Sequence, residues 1–202
     1  MHESDDPGAG SVSLTRMSSA ASSRPLFASG WLQFPAAIVL VAIALVSAGI
    51  EPRALPLVYI AAVTPALWMT DVLSRRLPNR LVLPGFLAVL GGAAGQWVWS
   101  GTLPLLAIAS GAAYFVFMLA LGLAGGMGMG DVKLAGVLGL GAGLLGPAAA
   151  ILAPVAAFLL GGVAAIAAVR GNRLATIPFG PFMLAGFWIA VVVARQPWTA
   201  AG

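Results

Sequence analysis

The sequence predicts an all-α polytopic membrane protein of about seven transmembrane helices, with six to eight compatible with the pattern. Three observations predict it. Of the 202 residues, 60% are hydrophobic and only 8% are charged, whereas a soluble domain carries roughly 25% charged residues. The mean hydropathy is +1.01. The apolar residues fall in seven long runs with short connections, each run near the ~20 residues a spanning helix needs.

Residues 1–30 read as a flexible polar tail, rich in Ser and Gly and carrying Glu3, Asp5 and Asp6. They hold too few apolar residues to order themselves, and Met17 is an alternative start. The tail is long and begins acidic, and the apolar run after it is too long for a signal-peptide core. An uncleaved first helix is therefore expected. The predicted spans are 31–50, 54–73, 81–100, 103–124, 132–147, 149–169 and 179–194, with the fifth and seventh the shortest. Together they form one integral membrane domain over 31–195, followed by a short tail at 196–202. Pro65, Pro84 and Pro154 fall inside spans, which lipid-embedded helices tolerate better than soluble ones. Abundant Gly and Ala predict close helix–helix contact. In the fifth span, Gly136, Gly139, Gly141 and Gly143 imply either a close neighbour or an irregular segment.

Cations set the predicted orientation. With the start inside, the inner segments hold Arg16, Arg24, Arg75, Arg76, Arg80, Lys133, Arg170 and Arg173, and the outer ones only Arg53 and Arg195. The bias places the N-terminus in the cytoplasm and the C-terminus outside. The net charge of +4 does not point to nucleic acid, because the cations are scattered between apolar runs and form no basic face. The chain has no cysteine, which excludes disulfides, thiolate nucleophiles and Cys-based zinc sites. Its one histidine is His2 in the tail, so a Ser-His-Asp triad or a His-rich metal site is not available to the membrane body.

Beyond Glu51 the only acidic residues are Asp71 and Asp131. Asp131 lies in Gly125–Leu134, a glycine-rich stretch between two apolar runs, and the topology puts Asp71 at the same membrane edge. An ionisable residue at membrane depth marks a functional site by default. Each also has a bland reading: Asp71 as an interfacial charge paired with Arg75 one turn on, and Asp131 as a cap on the fifth helix. Read together, they form a carboxylate dyad. Two carboxylates sharing a site keep one proton between them. The ionised one takes a proton from water while the protonated one polarises a peptide carbonyl. Such aspartyl protease chemistry needs no cofactor and no metal. Gly128 and Gly130 let the backbone turn sharply and let another chain approach. A Ser74–Lys133 pair is an alternative catalytic unit, although Lys133 also reads as a topology anchor that biases the dyad electrostatically.

The pattern resembles a known family. Gly128-Met129-Gly130-Asp131-Val132-Lys133-Leu134 is similar to the GxGD signature and following Val-Lys-Leu of type IV prepilin peptidases. Asp71, followed by Leu77-Pro78-Asn79, resembles that family's first catalytic aspartate with its downstream Leu-Pro-Asn, and Ile177-Pro178-Phe179-Gly180-Pro181-Phe182 resembles its late Pro-Phe-Gly-Pro element. The resemblance covers about residues 54–190. It implies an aspartic endopeptidase of a bacterial inner membrane that removes positively charged leaders from type IV pilin-like precursors at the cytoplasmic face. It also implies that Asp71 and Asp131 are the catalytic pair, supported by Gly128, Gly130 and Lys133. Pro78, Asn79, Pro178, Phe179, Gly180 and Pro181 then stand as candidate substrate-side residues, the late element reading equally as a helix-start turn. Larger members carry a loop with two Cys-x-x-Cys pairs and methylate the new N-terminus. This chain lacks that loop, so it resembles the short, peptidase-only members, and methyltransferase activity is not expected.

Two readings from other classes stay open. A small proton- or cation-coupled transporter would use the same carboxylates, placed near the bilayer midplane. A non-catalytic scaffold for pilus or secretion assembly would need neither. The expected partners are pilin-like precursors and the lipid bilayer, with no nucleic acid. The Gly-rich approach to Asp131 predicts a dyad loosely held without substrate.

Overall fold

The computed structural model describes residues 30–125, 127–170 and 177–194. Residues 1–29, with His2, Arg16, Met17 and Arg24, and residues 195–202, with Arg195, lie outside the described residues, as does Arg173. Seven helices account for the described chain: α1 (Gly30–Ala48), α2 (Ala54–Ser74), α3 (Asn79–Ser100), α4 (Leu105–Leu123), α5 (Met129–Leu145), α6 (Pro147–Arg170) and α7 (Gly180–Ala194). Among the described residues there is no strand. By length and composition α2, α3, α4 and α6 can each cross a membrane, while the described part of α1 and all of α7 are apolar but shorter. The outer faces carry large apolar side chains open to the surroundings, such as Val98 (85% exposed), Leu123 (80%) and Leu87 (74%). Water would not tolerate so continuous an apolar surface, and lipid does. The protein is a multi-pass membrane protein.

Helix α5 is the axis of the bundle. It has 17 residues, of which 11 are buried, and it packs on α3, α4, α6 and α7. Surrounded by protein, it has no lipid thickness to match and is short. The glycines make this possible. A Cβ on Gly139 would stand 2.8 Å from the Ser110 carbonyl oxygen and 3.0 Å from Gly111 Cα, so α4 and α5 approach backbone to backbone. Ser110 Oγ donates across the crossing to the Gly139 carbonyl at 2.9 Å, as small polar residues do between membrane helices. Of the two alternatives for this segment, the structure shows a regular helix with close neighbours. On its opposite side Gly141 faces Ile60 of α2 and Phe187 of α7. Helices α2 and α7 are further joined by a buried hydrogen bond, Trp188 Nε1 to Thr64 Oγ1 at 3.0 Å.

The helix ends differ from the sequence expectation where polar residues begin a helix. Helix α3 starts at Asn79 with Pro78 as its extended N-cap, two residues before its apolar run, because the Pro78 carbonyl already accepts from Leu81 and Val82. Helix α5 starts at Met129, since the Gly128 carbonyl accepts from Asp131 and Val132. Asp131 is thereby drawn into the first turn of α5. Between α5 and α6 a single residue, Gly146, makes the turn at φ 121°, a conformation open to glycine. Pro147 then opens α6 at a position that lacks an N–H partner in any case.

The C-terminal ends of α2, α4 and α6 and the N-terminal ends of α3, α5 and α7 share one end of the bundle. That end carries Arg75, Arg76, Arg80, Lys133 and Arg170, whereas the α1–α2 connection holds Arg53 ion-paired with Glu51 at 3.0 Å.

Candidate active site

Asp71 sits one turn before the end of α2 and is 4% exposed. Helix α2 stops at Arg75, which turns left-handed at φ 52° and donates its N–H to the Asp71 carbonyl at 2.8 Å. The Asp71 side chain reaches across the bundle. Its Oδ2 accepts the backbone N–H of Gly180, the first residue of α7, at 2.9 Å. Helix N-termini leave N–H groups without intrahelical partners, and a carboxylate of another helix supplies one here. Gly180 is required by this approach, because a Cβ there would lie 2.6 Å from Asp71 Oδ2. Phe179 fixes the same turn from the other side, its ring 5.0 Å from that of Phe158 on α6. It lies against Gly161, where a Cβ would meet the ring edge at 2.7 Å. Thus the late Pro-Phe-Gly-Pro element is a helix-start turn that also holds Asp71.

Asp131 enters from the opposite side, in the first turn of α5. The N-cap is Gly128, which has no side chain to cap the helix, and the Asp131 carboxylate accepts a backbone hydrogen bond from that residue, so it also serves the helix start. Asp131 Oδ1 is buried, and among the described residues no group donates to it. An unpaired buried carboxylate oxygen is costly in a structural role and marks a candidate functional group.

Both aspartates line the same two cavities. The larger, about 560 Å³, lies between the ends of α2, α5, α6 and α7 and is walled by Met127, Phe158, Ile177, Phe179 and Phe182, with Arg75 at its edge. The smaller, about 270 Å³, runs on the other side of the pair along Arg75, Arg76, Leu77, Met129 and Gly130. An apolar, aromatic chamber therefore meets a basic one at two carboxylates, which can present both to a single extended chain.

The other expected site residues divide. Gly128 lines both cavities, and Pro178 and Phe179 line the larger. Pro78, Asn79, Gly180 and Pro181 line neither. Lys133 does not face the cavities; its Nζ donates to Asn79 Oδ1 at 3.1 Å. Gly130 packs on Leu77, where a Cβ would come to 3.0 Å from Leu77 Cβ. Sequence reasoning did not single out Phe158, Gly161 or Arg75 as cavity-lining groups. The two α6 residues sit in an apolar run with no signal to separate them from lipid-facing neighbours, whereas Arg75, four residues after Asp71, was visible but entered only as an orienting cation and in the bland reading of Asp71.

An all-helical membrane bundle with two carboxylates converging at one end defines a membrane protein with a paired-carboxylate site. Comparison with protein families makes the class specific. The model of the type IV leader peptidase family matches residues 57–166, more than half of the 202-residue chain, and the chain belongs to that family. The protein is thus a protease of the leader peptidase type. The matched segment contains Asp71 and Asp131 and ends before Pro178. No curated protein and no solved structure matches the chain.

Proposed function

We propose that the chain is an aspartic endopeptidase that removes leader peptides from type IV pilin-like precursors at the cytoplasmic face of a bacterial inner membrane. The observation that carries this reading is the convergence of Asp71 and Asp131 on shared cavities, in a chain with no other carboxylate beyond Glu51. The ionised member of the pair accepts a proton from water, whose oxygen adds to the scissile carbonyl carbon. The protonated member gives its proton to the carbonyl oxygen, forming a neutral gem-diol. Collapse of the diol returns a proton to the dyad, moves another to the amide nitrogen and breaks the C–N bond. Gly180 N–H orients Asp71 for this work.

The position of the pair supports the protease over the transporter. Both aspartates lie in the terminal turns of their helices, at one end of the bundle, rather than at mid-span. Arg75, Arg76, Arg80, Lys133 and Arg170 at that end support a cytoplasmic placement. Methyl transfer is not part of the proposal. The test is cleavage of pilin-like precursors by purified enzyme: the reading expects a leader released by the wild type and none by Asp71→Asn. Cleavage undiminished in Asp71→Asn overturns the dyad.

A further inference from the structure

The α2–α3 turn does more than reverse the chain. Between the end of α2 and the start of α3 lie Arg75, Arg76, Leu77 and Pro78, and this short segment and the first residue of α3 each touch the start of α5. Leu77, 9% exposed, is seated in the core against Gly130. A Cβ on residue 130 would meet Leu77 Cβ at 3.0 Å and Leu77 N at 3.6 Å, so the two backbones are in contact distance only because residue 130 is glycine. One turn along α5, at the exposed surface of this end, Lys133 Nζ donates to Asn79 Oδ1 at 3.1 Å. The two contacts bracket Asp131, one residue before it and two after. They tie it to a segment that begins four residues from Asp71.

We infer that the Lys133–Asn79 hydrogen bond and the Leu77–Gly130 contact form a clasp that sets Asp131 at a fixed distance from Asp71, which makes Asn79 and Lys133 positioning residues rather than substrate contacts. The inference rests on the dyad reading above. The chemistry of the pair fits the task. Residues two apart on a helix point to different faces, so Lys133 is directed away from Asp131 and toward α3. Asn79 offers a neutral oxygen to the ammonium, fastening it without placing a third carboxylate beside the dyad. The lead-in to α5 through Gly125 and Gly128 adds little rigidity to the turn that carries Asp131, and the clasp anchors that turn to α3.

The kinetic test is a double-mutant cycle with Asn79→Ala, Lys133→Met and the pair, scoring kcat and KM separately on a precursor that the wild type cleaves. Misplacing a catalytic group by a fraction of an ångström costs on the order of tenfold in rate. Each single variant is therefore expected to lose about tenfold in kcat with KM held, and the double variant no more than the worse single. Asn79→Gln, which keeps a neutral amide oxygen for Lys133, is expected to retain more activity than Asn79→Ala. Raised KM with kcat held, or effects that multiply in the double variant, overturns the clasp in favour of substrate contacts. A second readout is independent of catalysis. The chain has no cysteine, so Arg76→Cys with Met129→Cys, two residues lining the smaller cavity, gives a single reactive pair for a short bis-maleimide. Cross-linking is expected to slow at least about fivefold when Asn79→Ala and Lys133→Met are added. An unchanged cross-linking rate overturns the clasp even where no precursor is cleaved, an outcome that by itself counts only against the protease reading.

Discussion

Replacing Gly180 with alanine puts one methyl group where the structure has room for none. The added Cβ would lie 2.6 Å from Asp71 Oδ2 and 3.1 Å from Asp71 Cγ. Ordinary contact begins at 3.4 Å, so carboxylate and backbone must part by about 0.8 Å, the difference between 3.4 and 2.6. That displacement stretches the 2.9 Å N–H···Oδ2 bond beyond useful length. Neither side yields easily: Phe179 is wedged between Phe158 and Gly161, and Asp71 is buried in α2. A hydrogen bond to a charged group contributes about 1.5–3 kcal/mol, and losing it from the transition state lowers kcat/KM roughly tenfold to hundredfold. The assay is cleavage by Gly180→Ala in detergent or membranes, beside Gly91→Ala in α3, where the new methyl meets only Leu55 Cδ2 at 3.4 Å. Gly91→Ala is expected to cleave at the wild-type rate, helped slightly by the better helix propensity of alanine. A Gly180→Ala enzyme as active as wild type would refute the argument that this N–H holds Asp71 in its working position.

The other consequences concern the scaffold. Gly139→Ala forces backbone against backbone at the α4–α5 crossing, and thermal unfolding in detergent is expected to show a loss of about 1–3 kcal/mol; an unchanged midpoint means the crossing is looser than described. Trp188→Phe removes the buried donor to Thr64 Oγ1 while keeping an aromatic ring, and is expected to cost about 1–2 kcal/mol of stability with little change in kcat. A large kcat effect there would tie the α2–α7 seam to catalysis. Leu77→Ala opens a cavity beside Gly130 and should destabilise by about 2 kcal/mol or more, measured as a lower unfolding midpoint. An unchanged midpoint would mean that Leu77 contributes little to packing there.

Most of the fold was legible because lipid imposes a simple rule. Spans must be long, apolar and helical, and the sequence separates them with Pro, Gly and Arg. The rule fails where a helix begins in polar residues: Asn79-Arg80 and Met129-Gly130-Asp131 fall outside any apolar run, yet the Pro78 and Gly128 carbonyls start the hydrogen-bonded turns there. The two acids that line the shared cavities were legible for a related reason. Acids are so rare in this chain that Asp71 and Asp131 stand out unaided. Their supports were not. Gly180 meets Asp71 from 109 residues away, and Lys133 meets Asn79 from 54. No local pattern encodes such pairs. The late element shows the limit well: read as two alternatives, a helix-start turn or a functional motif, it is a turn whose first N–H is bonded to Asp71.

The central claim is that Asp71 and Asp131 work as one catalytic unit on a leader peptide. Its most direct test is co-expression, in bacterial membranes, of a pilin-like precursor with the wild type, Asp71→Asn or Asp131→Asn, followed by mass determination of the precursor. Each substitution keeps the side-chain shape and removes the acid. The account predicts a shortened product with the wild type and full-length precursor with both variants. Processing that survives in either variant, or a wild type that leaves every pilin-like precursor intact, would contradict it.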